Sequence, residues 1–273
     1  MSDSVNSERD DLDASKAPLM EHLVELRKRL VWSVGALFIA FFVCFFFAGP
    51  IFNFLVDPLQ GMWSGQTGRR LIYTALHEKF FVDVKVAFFT AFCVTFPIIA
   101  GQLYAFVAPG LYKHEKSAFI PFLIATPVLF IIGGSFVYYV VLPVAWEFFA
   151  SFEQAGGDGH LAIALEPKVN EYLALVMRLI FAFGISFELP VVITLLSRAG
   201  LVSVDGLKKK RRYAIVLAFV AAAVLTPPDP LSQIGLAIPI ILLYEISIIC
   251  ARYVEKQKAE RDRILNEEAG VED

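Results

Sequence analysis

Apolar residues run almost unbroken through five stretches of the chain, at about 30–48, 83–107, 118–142, 171–196 and 232–251. A hydrocarbon core about 30 Å thick is crossed by roughly 20 apolar helical residues, so each stretch is long enough to span a bilayer. A sixth, at about 213–226, covers only about 21 Å at about 1.5 Å per residue. It must end inside the hydrocarbon or thin the bilayer around it. The period-2 alternation and frequent turn signals of a membrane β-barrel do not occur. The pattern therefore predicts an all-α polytopic membrane protein with six transmembrane helices.

Between these stretches, the apolar patches "IFNFL" and "LPVAWEFFASF" fall in two long loops, 49–82 and 143–170, and predict short helices at the membrane surface. Residues 1–15 are polar and acidic and residues 255–273 alternate in charge, which predicts mobile tails. The organisation expected is one membrane domain over 21–252 between tails at 1–20 and 253–273. No internal repeat relates two halves, which argues against an inverted-repeat transporter.

Composition agrees with this class: of 273 residues, 57% are hydrophobic, 26 are phenylalanine and only 19% are charged, and the mean hydropathy is +0.63. The net charge of -3 decides little, because the sidedness of basic residues sets orientation. With both termini on one side, that side carries 18 Lys and Arg and the other carries four, namely Arg69, Arg70, Lys79 and Lys168. Both termini are therefore expected in the cytoplasm. "RKRL" before the first apolar stretch is not followed by a small-residue cleavage site, so no removed signal is expected. Cys44, Cys93 and Cys250 fall in separate spans, which predicts neither a disulfide framework nor a metal cluster.

No phosphate-binding loop occurs, and neither "HEKFF" nor "HEKSA" supplies the second histidine of a zinc-protease helix. No catalytic residue, metal or cofactor is expected. What remains is a set of carboxylates. In "EHLVELRKRL", 21–30, Glu21 and Glu25 share a helix face and Glu25 stands four before Arg29. Such a pair is also an ordinary way to solvate a helix entering a membrane. In "FVAPGLYKHEKS", 106–117, Pro109 and Gly110 break one helix and Glu115 opens the next, where the helix dipole alone would favour an acid.

Glu188, in "FGISFELPVV" beginning at Phe183, is harder to explain as solvation. An ionised carboxylate near the bilayer centre costs about 2.5–3.5 kcal/mol, and intramembrane ionisable groups are functional by default. Pro190 deprives the Ser186 carbonyl of its donor, and with Gly184 nearby it predicts a bend beside the acid. Arg178 lies ten residues earlier, about 15 Å along the helix, too far to pair. In "LTPPDPLSQ", 225–233, Asp229 and the prolines suit a tight turn. Thr226 and Gln233 lie in or beside spans, and a side-chain amide there wants a partner on another helix.

"HLVELRKRL" at 22–30, "FVAPGLYKHEK" at 106–116, "FGISFELPV" at 183–191, "LKKKRRY" at 207–213, "LTPPDPLSQ" and "LAIPIILLYE" at 236–245 together resemble the TatC family, the multi-spanning receptor of the twin-arginine translocase. The resemblance covers about 20–250. It implies a concave bundle in the bacterial cytoplasmic (inner) membrane with both termini inside. It also implies a core subunit that binds twin-arginine signal peptides and exports folded proteins on the proton-motive force, without catalysing a reaction. Glu25 and Glu115 match the family's recognition acids, and Arg27 and Phe106 match other positions at that surface. Pro58 matches a proline of the first outer loop, and Glu188 matches the intramembrane acid. Thr226 and Gln233 match the region that docks the single-span partners TatA and TatB, in an oligomeric complex surrounded by lipid. Nucleic acid is not an expected partner. Pro230 departs from the family pattern at the outer turn. Two rival readings remain: a proton-coupled transporter using Glu188, and a passive scaffold in which no single carboxylate matters.

Overall fold

The computed structural model of the chain describes residues 2–64, 68–111, 120–154, 161–226 and 230–268, without the side chains of 2–19, 21, 107–111, 120, 230–232, 262, 265, 266 and 268. Five helical segments are long and apolar enough to cross a membrane: His22–Phe46, Glu78–Phe106, Pro121–Ala150, Val169–Arg198 and Gln233–Arg261. They correspond to the five long apolar stretches. The first belongs to α1 (Ser2–Phe46) and the second to α3 (Glu78–Leu111), with the short α2 (Ala48–Met62) between them. The sixth, α8 (Val204–Leu225), begins with the basic run Lys208–Arg212, which leaves it the short apolar length expected, and it pairs with α9 (Pro230–Glu268) as a hairpin.

"IFNFL" lies in the separate helix α2, but "LPVAWEFFASF" does not begin a new element. The third span runs from α4 (Ile120–Phe136) through a π-helical turn, Val137–Val141, directly into α5 (Leu142–Ala150). Pro143 stands at the start of α5. The wider turn before it accommodates a ring that an unbroken α-helix would exclude. The fourth span is interrupted where Pro190 and Gly184 predict a bend: α6 (Val169–Ser186) stops and α7 (Leu189–Arg198) starts on either side of Phe187–Glu188.

The main core gathers at the α2 end. Leu55 and Leu59 of α2, Val82 and Val86 of α3, Leu142 and Trp146, and Leu173, Val176 and Phe183 of α6 are buried together. Pro58 lies within α2 and has no N–H for the Phe54 carbonyl one turn back. Tyr138 Oη donates to that carbonyl at 2.8 Å, and Tyr172 Oη donates to the next, Leu55 O, at 3.0 Å. The two long loops at the α2 end are fastened as well. Ile72 bridges Lys168, Gln154 bridges Ile163, and the Arg69 guanidinium grips Glu153 across 84 residues of chain.

Candidate functional site

α1 and α3 pack side by side, and at their end remote from α2 they bring together Glu25 and Phe106, two of the residues that the sequence singles out. Glu25 accepts hydrogen bonds from Arg29 Nε at 3.0 Å and Nη2 at 2.6 Å, while Arg29 Nη1 reaches Gln102 Oε1 at 3.4 Å. Four residues beyond Gln102, the Phe106 ring stacks on His22 with centroids 4.2 Å apart. Glu25, Lys28, Arg29, Trp32 and Gln102 line a recess of about 300 Å³. Arg27 is exposed on the same helix. Glu115 lies outside the described residues.

This recess holds a carboxylate already engaged by a guanidinium, at a partly exposed position where such a pair contributes about 0–1 kcal/mol. Another guanidinium could take the place of Arg29 at little cost. The sequence reading missed His22, Trp32 and Gln102. Gln102 could have been found from its i,i+4 relation to Phe106, whereas the His22–Phe106 stack depends on how two helices pack.

At mid-membrane, Glu188 sits at the α6–α7 break. It is 7% exposed, and neither carboxylate oxygen has a hydrogen-bond partner among the described residues. It faces Thr126 of α4, whose hydroxyl is already paired with Tyr104 Oη of α3 at 2.7 Å. The approach of α4 to α6 beside this cluster depends on small residues. A Cβ on Gly184 would meet the Phe130 ring at 2.5 Å, and one on Gly133 would meet Phe183 O at 2.8 Å. The result is a carboxyl group held inside protein with acceptor capacity to spare.

At the α8–α9 hairpin, Thr226 is buried and donates to Ala222 O at 2.9 Å, and Gln233 Nε2 donates across the hairpin to Phe219 O at 3.2 Å. Thr226 also borders an apolar groove of about 280 Å³ walled by residues such as Val140, Phe148, Leu179 and Leu236. Asp229 lies outside the described residues. Among the described residues, no group of three or more His, Cys, Asp or Glu side chains is placed to hold a metal ion.

Residues 21–239 match the family model described as Sec-independent protein translocase protein (TatC). The chain is 52% identical to the Sec-independent protein translocase protein TatC of Magnetococcus marinus, over 90% of its own length and 88% of the relative's. To the protein of that name from Escherichia coli K12 it is 40% identical, over 86% of its own length and 88% of the relative's. A crystal structure of the twin-arginine translocase receptor TatC, 37% identical, superposes with a TM-score of 0.74 over 86% of this chain and 99% of that one.

Proposed function

Because the chain belongs to the TatC family of Sec-independent protein translocase proteins, and is therefore a multi-pass membrane component of a translocase rather than an enzyme, we propose that it is the receptor and core subunit of a twin-arginine translocase. It binds twin-arginine signal peptides at the α1–α3 recess and exports folded proteins on the proton-motive force. The observation that carries this reading is the Glu25–Arg29 pair beside the Phe106–His22 stack. One Glu25 oxygen, Oε1, already accepts two N–H groups of a guanidinium edge, an arrangement that lysine's point charge does not reproduce. Arg29 holds the site until an arginine of the signal replaces it, and Glu115 reads the second arginine.

The 18-to-4 distribution of basic residues supports an orientation with both termini in the cytoplasm and α2 outside, in the bacterial inner membrane. Residues 1–20 and 253–273 are then cytoplasmic flanks of the membrane domain. The hairpin with Thr226 and Gln233 docks the single-span subunits TatA and TatB in an oligomeric complex. Glu188, with open acceptors at membrane depth, offers a hydrogen-bonding site to a signal hairpin or partner helix.

The test is photo-cross-linking of a twin-arginine peptide to the full chain in membranes. A charge-assisted contact contributes about 1.5–3 kcal/mol, so Glu25→Ala and Glu115→Ala should each weaken labelling by about one to two powers of ten, and the double variant should abolish it. Unchanged labelling of the double variant would sink the reading. Solute flux in vesicles, with no export of folded protein, would favour a transporter instead.

A further inference from the structure

Two of the chain's 24 basic residues, Lys85 and Arg178, lie not in the loops or tails but within the spanning helices. They come from α3 and α6, yet both line one groove of about 680 Å³ whose third wall is α1. The remaining lining is apolar, with Phe38 and Phe88 more than half exposed. Arg178 is exposed and has no hydrogen bond or ion pair among the described residues. Lys85 makes one hydrogen bond, Nζ to Asn170 Oδ1 at 2.8 Å, which leaves two of its three N–H donors free.

Helix direction places the two charges at one end of this groove. Along α3 and α6 the chain runs away from the α2 end, so Lys85 precedes Phe88 and Arg178 precedes Phe181. Arg178 is 20 residues before Arg198, where the span ends, or about 30 Å of helix and the full hydrocarbon thickness. Arg178 therefore stands at headgroup level on the α2 side, and the lipid-facing phenylalanines extend below it. Nearby carboxylates do not neutralise the pair. Asp83 is taken by Lys79, Glu171 by Lys168, and Glu78 by the Thr74, Ala75 and Asn170 amides.

We propose that the α1–α3–α6 groove is a binding site for an anionic phospholipid of the leaflet on the α2 side, with its phosphate between Lys85 and Arg178 and one acyl chain along Phe38, Phe88 and Phe181. A guanidinium fork matches phosphate oxygens bidentately, and at headgroup level its remaining N–H donors can reach water. Basic pockets between transmembrane helices bind anionic headgroups on the same physical grounds. The charges sit at the depth where bilayer phosphates lie, which favours lipid over an acidic side chain that a partner helix would have to bring in desolvated. The site is separate from the signal-binding recess, so it stands or falls independently of the proposed receptor function.

The experiment is native mass spectrometry of the full chain, stripped of lipid and titrated with phosphatidylglycerol or phosphatidylethanolamine. Phosphatidylglycerol should bind tighter by about 30-fold, the effect of two basic side chains on one added negative charge. The double variant Lys85→Gln/Arg178→Gln should lose this preference, and Arg178→Lys should keep part of it. A photo-cross-linking residue at Phe88 gives a readout in the otherwise unchanged protein, and its adduct should be lipid. Equal binding of the two lipids by the unaltered chain, or a polypeptide adduct at Phe88, overturns the proposal.

Discussion

The two ends of the bundle are built differently. At the α2 end, side chains from α2, α3, α5 and α6 close into one buried core, tyrosines meet backbone carbonyls, and the loops are bridged. At the other end α1 leans chiefly on α3. Only 6% of its most apolar stretch is buried, against 44% for the fourth span. There Glu25 and Phe106 are held by a partly exposed ion pair and one ring stack. Rigidity is concentrated away from the recess, and the surface proposed to accept a peptide keeps contacts that cost little to exchange.

The largest effect expected from this contrast is on stability. Phe183 is fully buried and Val34 is 53% exposed. Phe183→Ala should therefore destabilise by about 3–5 kcal/mol, while Val34→Ala should stay within about 0.5 kcal/mol. Thermal unfolding in detergent measures both, and equal losses would erase the contrast. Next comes Glu188, which lies between the two ends. Gln preserves size and hydrogen-bonding capacity but exchanges no proton, and Ala removes both. An export assay should find Glu188→Gln retaining most transport and Glu188→Ala losing much of it; if both are inactive while present in the membrane, a proton relay is favoured.

Smaller effects are expected from the two ion pairs. Arg29→Gln releases Glu25 and should tighten twin-arginine peptide binding by up to about fivefold, since a partly exposed pair contributes at most about 1 kcal/mol. Weaker binding in a titration would mean that Arg29 helps to hold the peptide. At the loop clasp of the α2 end, the Arg69 guanidinium and the Leu165 N–H hold the Glu153 carboxyl down to about 2. For an acid whose folded value is depressed, the stabilisation is present above the unfolded carboxylate range and is lost as pH falls toward the folded value. A small decline in stability should thus appear between about pH 4.3 and pH 2. It should be absent from Glu153→Gln when melting is followed across that window.

Features set by neighbours in sequence were legible before the fold was known. The apolar runs located the spans, Pro190 and Gly184 located the break beside Glu188, and the i,i+4 spacing anticipated the Glu25–Arg29 pair. Features that need two distant segments were not. Thr126 meets Tyr104 only because α3 and α4 pack there, and Arg69 finds Glu153 through loop geometry. The prolines of "LPVAWEFFASF" and "FELPVV" look alike in sequence. One follows a π-turn in a continuous helix and the other marks a break, because the packing around each decides how the missing N–H is accommodated.

Pro58 has a consequence for how the molecule is made. The carbonyl it strands in α2 is met by Tyr138, which follows 80 residues later in the chain. A nascent chain that has emerged only through its second span holds α2 with that carbonyl left to interfacial water instead of the tyrosine hydroxyl. Completion of the α2 end therefore waits for synthesis and insertion of the third span, so the order of translation is also an order of assembly.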